Sequence, residues 1–236
     1  MKKVVVFSGS GISAESGIST FRDSGGLWEK HRIEDVATPG AWERNKELVL
    51  DFYNQRRKQV VMAGPNPAHD AIANLQEKFD VQVITQNVDD LHERAGSKKV
   101  LHLHGEIRKS RSSSHPHLVY DIRGNELNSG DLCEKGSQLR PHIVWFGEMV
   151  PNMEPATLIT SRSDLFIVVG TSLNVYPAAG LINYTKRGIP KYLVDPYAAE
   201  FDSYSEYILI PEKASTGIPG LVEFLLNGKD PDKKYA

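Results

Sequence analysis

Six short runs of apolar, mostly β-branched residues punctuate this chain, and the first ends directly in a glycine-rich turn. Val4-Val5-Val6-Phe7 leads into Gly9-Ser10-Gly11-Ile12-Ser13-Ala14. Continuous apolar runs of this length read as parallel strands buried on both faces. The later runs are 81–85, 100–103, 165–169, 192–194 and a weaker one at 207–210. Helix-like stretches lie between most of them. One is 67–79, with Pro67 in its first turn and Ile72, Leu75 and Phe79 following; another is 219–227, with Leu221, Val222, Phe224, Leu225 and Leu226. Strands alternating with helices imply an α/β fold, a doubly wound parallel (Rossmann-like) sheet with right-handed crossovers.

Two regions break the alternation. Residues 24–65 are polar with an amphipathic stretch at 42–62, and 106–140 are rich in Ser, Gly, Asn and His with little core material. Structureless loops of that length are rare inside a compact domain. The expected division is therefore a larger unit of 1–30, 66–105 and 139–236, and a smaller inserted module of 31–65 and 106–138. The tail Lys229–Lys234 is expected to fray.

A formal net charge of −2 gives no sign of a polyanion-binding surface, so nucleic acid is not expected as a partner. The single cysteine, Cys133, excludes an intrachain disulfide and fits a reducing cytoplasm. The apolar run after Met1-Lys2-Lys3 is too short for a signal peptide, and no run is long enough to span a bilayer. A cytoplasmic monomer with no membrane partner is the expectation.

Gly9-x-Gly11-x-x-Ala14 after a strand has the G-x-G-x-x-A form of a dinucleotide fingerprint. Its physical content is a tight turn, close backbone approach to a pyrophosphate, and helix N-terminal amides aimed at the anion. A plain Gly-rich strand–helix turn is the alternative. The acidic ribose ligand of dehydrogenases, about 20 residues on at the end of a second strand, is missing, because Asp23 falls in a loop. Gln86-Asn87-Val88-Asp89 follows the second strand, where amides and a carboxylate can bind a ribose, a carboxamide or a water; Asn87 and Asp89 can equally cap the next helix. His104 follows the third strand, next to a Gly that would let a ligand come close, and is placed to act as a general base. His102 reads as a structural histidine. Gly170-Thr171-Ser172 gives a third strand end with hydroxyl groups.

Together these motifs resemble the sirtuin family over nearly the whole chain and in the right order. Gly9–Arg22 is similar to its GAGIS-AESGIP-x-FR signature, Gln86–Asp89 to its QN-[IV]-D box, and His104-Gly105 to its HG. Leu139-Arg140-Pro141-His142-Ile143-Val144-Trp145-Phe146-Gly147-Glu148 matches the strand after its zinc module, and Gly170–Ser172 its GTS box. The resemblance implies an NAD-dependent protein-lysine deacylase in which NAD is consumed. The acyl oxygen attacks C1′ of the nicotinamide ribose, nicotinamide leaves, and His104 activates a ribose hydroxyl against the O-alkylamidate. Asn87 and Asp89 would complete the catalytic set. The implied NAD-binding positions are Gly9, Ser10, Gly11, Ile12, Ser13, Glu15, Phe21, Arg22, Gln86, Asn87, Asp89, Gly170, Thr171, Ser172, Asp195 and Ala214.

Phe52–Arg57 resembles the Tyr-x-x-Arg pair of the desuccinylase-type sirtuins. Tyr53 and Arg56, at i and i+3, share a helix face and could hold the free carboxylate of a succinyl- or malonyl-lysine. Ala37 keeps room for the longer acyl chain, and Val144, Trp145, Phe146 and Gly147 would line the acyl-lysine. Arg57 and Lys58 read as solvated charge. The chain departs from the family at its zinc ligands, where Ser112 and His115 replace one Cys pair, and Cys133 with Gly136 replaces the other. Four good donors are needed for a structural zinc, so no metal is expected. Protein mono-ADP-ribosyl transfer and a non-enzymatic NAD-sensing module are the competing readings.

Overall fold

The computed structural model describes residues 1–19, 31–198 and 206–228. The described strands, in chain order, are β1 (Lys3–Ser8), β2 (Asp80–Thr85), β3 (Val100–His102), β4 (Gly105–Ser112), β5 (Val119–Asp121), β6 (Leu139–Ile143), β7 (Leu165–Val169), β8 (Lys191–Val194) and β9 (Ile208–Ile210). The described α-helices are α1 (Gly11–Ala14), α2 (Ile33–Val36), α3 (Pro39–Arg44), α4 (Lys46–Met62), α5 (Pro67–Asn74), α6 (Leu91–Arg94), α7 (Met153–Ser161) and α8 (Ala214–Leu226). Six strands form a parallel sheet in the order β3-β2-β1-β7-β8-β9, as the apolar runs imply, and β5-β4-β6 form a separate antiparallel sheet.

Alternate residues of the apolar runs feed two cores, which is why they show no polar face. Val4, Val6, Ile167 and Val169 pack with Ile72 and Leu75 on one side and with Ile218, Leu221 and Leu225 of α8. Val5, Phe7, Phe166 and Val168 face Ala156 of α7 and the 178–184 turn. Each such side chain contributes about 1.5–3 kcal/mol on full burial. Strand order reverses between β1 and β7, so a crevice opens at their carboxyl ends.

Helix boundaries differ from the sequence reading in two places. The 67–79 stretch is α-helical only to Asn74 and then tightens into a 3-10 turn at Leu75–Glu77. α8 starts at Ala214, before Pro219, and Gly217 in its first turns lets it approach β8; a Cβ there would lie 2.6 Å from Val194 Cγ1. Pro219 forfeits only one amide bond near the helix start, so packing overrides its usual role as an initiator.

The 106–140 region carries more core than its polar composition suggests. β4 alternates, burying Ile107 while presenting Arg108, and Ile107, Ile122, Leu127, Ile143 and Trp145 join Val36, Trp42, Val49 and Phe52 in a third core. β6, read from sequence with the larger unit, pairs with β4 in the small sheet. Arg57 is not solvated. It is fully buried, donating from Nε to the Ile107 carbonyl at 2.7 Å and from Nη1 to Asn54 Oδ1 at 2.6 Å, and so ties α4 to β4. Only Lys58 faces outward, paired with Glu126. Among the described residues no helix is long and apolar enough to cross a membrane.

Candidate active site

The turn after β1 and the turn after β7 touch at the crevice. The Gly9 amide donates to Val169 O and the Gly11 amide to Gly170 O at 2.8 Å. A Cβ on Gly9 or Gly11 would lie 2.7 Å from atoms of Gly170, and Gly170 itself has φ of +59°. The fingerprint glycines are therefore required by the meeting of two protein loops. The amides of Gly11, Ile12 and Ser13 donate to the carbonyls of Gly170, Gly9 and Ser10. In so short a helix these amides already make turn bonds.

Behind this turn the Gln86–Asp89 segment is fastened to it. Asn87 Nδ2 donates to Gly9 O and to Ser13 Oγ, both at 3.1 Å, and Ser13 Oγ donates to Asp89 Oδ2 at 3.0 Å. Asp89 Oδ1 accepts from the Leu91 amide, so the helix-capping role also holds. Burial raises the Asp89 carboxyl above its ordinary value, opposed by the Leu91 amide, the Ser13 hydroxyl and His102. Because the Asn87 amide nitrogen is committed to two acceptors, its oxygen is the end suited to a hydroxyl donor. Gln86 Nε2 donates to Thr171 Oγ1 at 2.9 Å, joining the second and third strand ends. Ser10 and Ser172 are half-buried beside them.

His104 stands at the end of β3 with Nδ1 3.0 Å from the Gln86 carbonyl. A carbonyl can only accept, so Nδ1 carries the proton and Nε2 presents its lone pair. Burial lowers the His104 pKa, against the Gln86 carbonyl, which favours the protonated form. A half-buried neutral imidazole with an accepting Nε2 can take a proton near neutral pH. Gly105, next to it, sits at φ +86° with the place of its Cβ 2.0 Å from His142 O, so it lets β4 close on β6.

Glu15 and Asp195, two more of the expected NAD-binding positions, also have protein partners. Glu15 receives the Ser215 amide on Oε2 at 3.0 Å and the Ser215 hydroxyl on Oε1 at 2.7 Å, pinning α1 to α8 beside the buried Ala214. Asp195, at the end of β8, accepts from the Tyr197 amide at 3.0 Å. Ile12 is fully buried in the sheet core. Phe21 and Arg22 lie outside the described residues.

Tyr53 and Arg56 come together on the buried side of α4, 3% and 8% exposed. Burial holds the Tyr53 phenol well above its ordinary range, against the Arg56 and Arg140 charges. Burial lowers Arg56, against Tyr53 and Asp89, which places this pair within electrostatic reach of the Asn87–Asp89 segment. Ala37 is buried, and its carbonyl accepts from the Phe146 amide at 3.0 Å, joining two walls of the same region. Trp145 is buried, whereas Phe146 and Gly147 are exposed and Val144 half-buried.

Sequence reasoning gave no role to the charges that shape this wall. Glu148 accepts from Arg140 at 2.7 Å, from Arg111 at 3.0 Å and from the Trp145 amide at 2.8 Å, and the Arg140 guanidinium lies 3.3 Å from the Trp145 ring centroid. The spacing of Arg140 and Glu148 carries no periodic signal; only their position inside the 139–148 run marks them.

In the small module the four positions matched to zinc ligands do not fit a zinc ion. Cys133 Sγ donates to Ser112 Oγ at 3.4 Å, and Ser112 Oγ also accepts from the Ser114 and His115 amides. Gly136 offers no side chain, and no cluster of three or more metal-binding side chains forms among the described residues.

The Sir2 family profile matches residues 9–177, most of the chain. The chain belongs to the Sir2 family. It is 48% identical over 231 residues to an NAD-dependent protein deacylase of Bacteroides thetaiotaomicron, covering 96% of this chain and 99% of that one. It is 54% identical over 198 residues to an NAD-dependent protein deacylase of Helicobacter pylori strain J99, covering 84% of each. Among solved structures it is similar to a Sir2 homologue in complex with NAD, with a TM-score of 0.86 at 40% identity, covering 96% of this chain and 90% of that one. It is also similar to a Sir2 mutant holding a deacetylated p53 peptide and 3′-O-acetyl ADP-ribose, with a TM-score of 0.79 at 31% identity, covering 95% and 92%.

Proposed function

We propose that this Sir2-family chain, an NAD-dependent protein deacylase, removes succinyl and malonyl as well as acetyl groups from lysine side chains. The observation that carries the acyl specificity is the buried pairing of Tyr53 and Arg56 on one face of α4. A guanidinium taken out of water favours an anionic partner strongly, and a planar carboxylate suits its fork. Ala37 contributes only a methyl group to that wall and leaves length for a four-carbon acyl chain.

Bound NAD supplies the electrophilic ribose carbon and the nicotinamide leaving group. The chain's residues do the rest. The neutral hydroxyls and amides of Ser10, Gln86, Asn87 and Ser172 would hold the dinucleotide at the crevice, with the Asn87 oxygen free to accept from a ribose hydroxyl. His104 Nε2 would take that hydroxyl's proton, with Nδ1–H on Gln86 O holding the ring in place. Val144 and Gly147 receive the acyl-lysine at the open side, and Glu148 with Arg140 holds the Trp145 wall still. The Ser112–Cys133 contact and the missing fourth donor support a module held by packing and hydrogen bonds without zinc. The single cysteine fits a reducing compartment.

The test is incubation with NAD and matched acetyl-, succinyl- and malonyl-lysine peptides, following nicotinamide and O-acyl-ADP-ribose by mass spectrometry. Turnover of all three peptides is expected. Turnover of acetyl-lysine alone would refute the acidic-acyl reading, and no turnover on any peptide would refute deacylation.

A further inference from the structure

His102 sits at the end of β3, beside the site and outside every role assigned above. It is 7% exposed, and both of its ring nitrogens are engaged. Nδ1 lies 2.9 Å from the Asn87 carbonyl, and Nε2 lies 2.8 Å from Glu93 Oε1 on α6. Neither partner offers a proton to it when Glu93 is ionised, so a ring that satisfies both must carry two protons. The His102 carbonyl in turn accepts from Asn152 Nδ2 at 2.7 Å, and its backbone pairs with Thr85 in the β2–β3 ladder. The main chain of His102 is therefore fixed on β3, and its ring bridges Glu93 and the main chain of the Asn87–Asp89 segment.

We propose that His102 is a positioning residue of the deacylation site: as an imidazolium bridging Glu93 and the Asn87 carbonyl, it fixes the Asn87–Asp89 segment and sets a positive charge behind the Asp89 carboxylate. This rests on the reading of Asn87 and Asp89 as part of the site. It makes the catalytic segment depend on a second histidine with the opposite protonation requirement from His104.

The charged and titratable groups around His102 support that state. Burial pushes the His102 pKa down, but the hydrogen bond and charge of Glu93, the Asn87 carbonyl and the Glu106 carboxylate outweigh it and leave it raised. Glu93 is pushed up by burial and pulled below its ordinary value mainly by His102, with a smaller pull from Lys109. Lys109 also pairs with Glu106 at 2.9 Å, which moderates that carboxylate. Asp89 feels the His102 charge, and His92 on α6 is kept neutral by burial and by the charges of its histidine neighbours.

The sign follows from a raised value. The bridge is complete below the ordinary histidine pKa and is lost as pH rises through the raised one, when one of its two contacts must go. His102 thus contributes an alkaline limb to the rate, while His104 contributes an acid limb.

The experiment measures kcat and KM for deacetylation across pH for wild type, His102→Gln and Glu93→Gln, with His102 titrated in the wild-type protein by NMR of its ring nitrogens. His102→Gln should keep one contact to Asn87. It should lower kcat by about ten- to hundredfold, the range spanned by a hydrogen bond to a charged group, with less change in the peptide KM and loss of the alkaline limb. Glu93→Gln should move that limb to lower pH. Should His102→Gln fail to fold, the Glu93→Gln profile and the NMR titration still decide. A His102 pKa at or below the ordinary value overturns the inference, as does an alkaline limb that neither variant moves. Asn87→Ala separates the two readings: if it stays fully active the site assignment fails, whereas an inactive Asn87→Ala beside an unaltered His102→Gln profile removes only His102.

Discussion

The crevice at the ends of β1, β2 and β7 and the buried face of α4 both hold polar groups away from water, by opposite means. In the crevice the groups are short and mostly neutral, and each is satisfied by the backbone or a neighbour within the same set of turns: Asn87 on Gly9 and Ser13, Gln86 on Thr171, His104 on Gln86. Around α4 the groups are long and charged, and their partners come from distant segments, as with Arg140, Arg111 and Glu148 beside Tyr53. Neutral hydrogen bonds add modestly to stability, while a buried charge without its complement costs far more. On the proposed reading the crevice would stay the same whichever acyl group arrives, and the α4 face would discriminate.

The largest expected effect tests the constant half of this contrast. His104→Ala should lower kcat by about 10²–10⁴-fold, the usual worth of a positioned general base, and equally for acetyl and succinyl peptides in single-turnover assays. Full activity in that variant would remove His104 as the base. Burial lowers the His104 pKa, so the neutral base persists below the ordinary histidine value and the wild-type rate should fall only as pH drops beneath it. An acid limb at or above about 6.5 would contradict that environment.

The next effect tests the discriminating half. Arg56→Met keeps the apolar stem and removes the charge. Desuccinylation kcat/KM should fall by about ten- to hundredfold, as expected for one charge-assisted interaction, while deacetylation moves far less. Equal losses on both peptides would mean that Arg56 shapes the wall without reading the acyl carboxylate.

The two halves also differ in what a single sequence reveals. Strand ends sit next to their motifs, so Gln86–Asp89, His104 and Gly170–Ser172 could be placed at one sheet edge from the order of apolar runs. What could not be read was contact between turns far apart in sequence. The close approach of Gly170 to Gly9 and Gly11, and of His142 to Gly105, has no signal in the sequence. Nor does the hydrogen bond to Glu15 from Ser215, near the other end of the chain. Around α4 the family resemblance marked Tyr53 and Arg56 and their i, i+3 spacing put them on one face, but the same stretch misled for Arg57, whose burial depends on its bond to the Ile107 carbonyl of β4. Polar β4 itself was invisible as core because only alternate residues face inward.

A smaller effect follows from the loop contact. Gly11→Ala would put a Cβ 2.7 Å from Gly170 Cα, where both sides are backbone and neither can swing away. A cost of about 1–3 kcal/mol is expected from overpacking of this kind, read as a lower Tm. Saturating ADP-ribose should still raise that Tm, because the variant weakens the joint between turns and not the polar groups that face the crevice. An unchanged Tm would show that the two turns can part without cost.

The smallest expected effect is none at all, and it bears on how the wall around α4 is held. In the small module Ser112 Oγ gathers three donors, the Ser114 and His115 amides and Cys133 Sγ, where the family's ligand positions would gather four donors on a metal. A serine that is already the acceptor for its own turn has no reason to ligate zinc, and Gly136 has nothing to offer. The module instead leans on Arg57, on Leu127 seated against Asn54, and on the Trp42–Trp145 contact at 5.8 Å. Prolonged treatment with a strong chelator should therefore leave Tm, deacetylation and desuccinylation unchanged, and elemental analysis should find far less than one zinc per chain. If chelation abolished desuccinylation but spared deacetylation, the discriminating wall would be metal-supported after all, and Arg56 would owe its place to the ion as much as to α4.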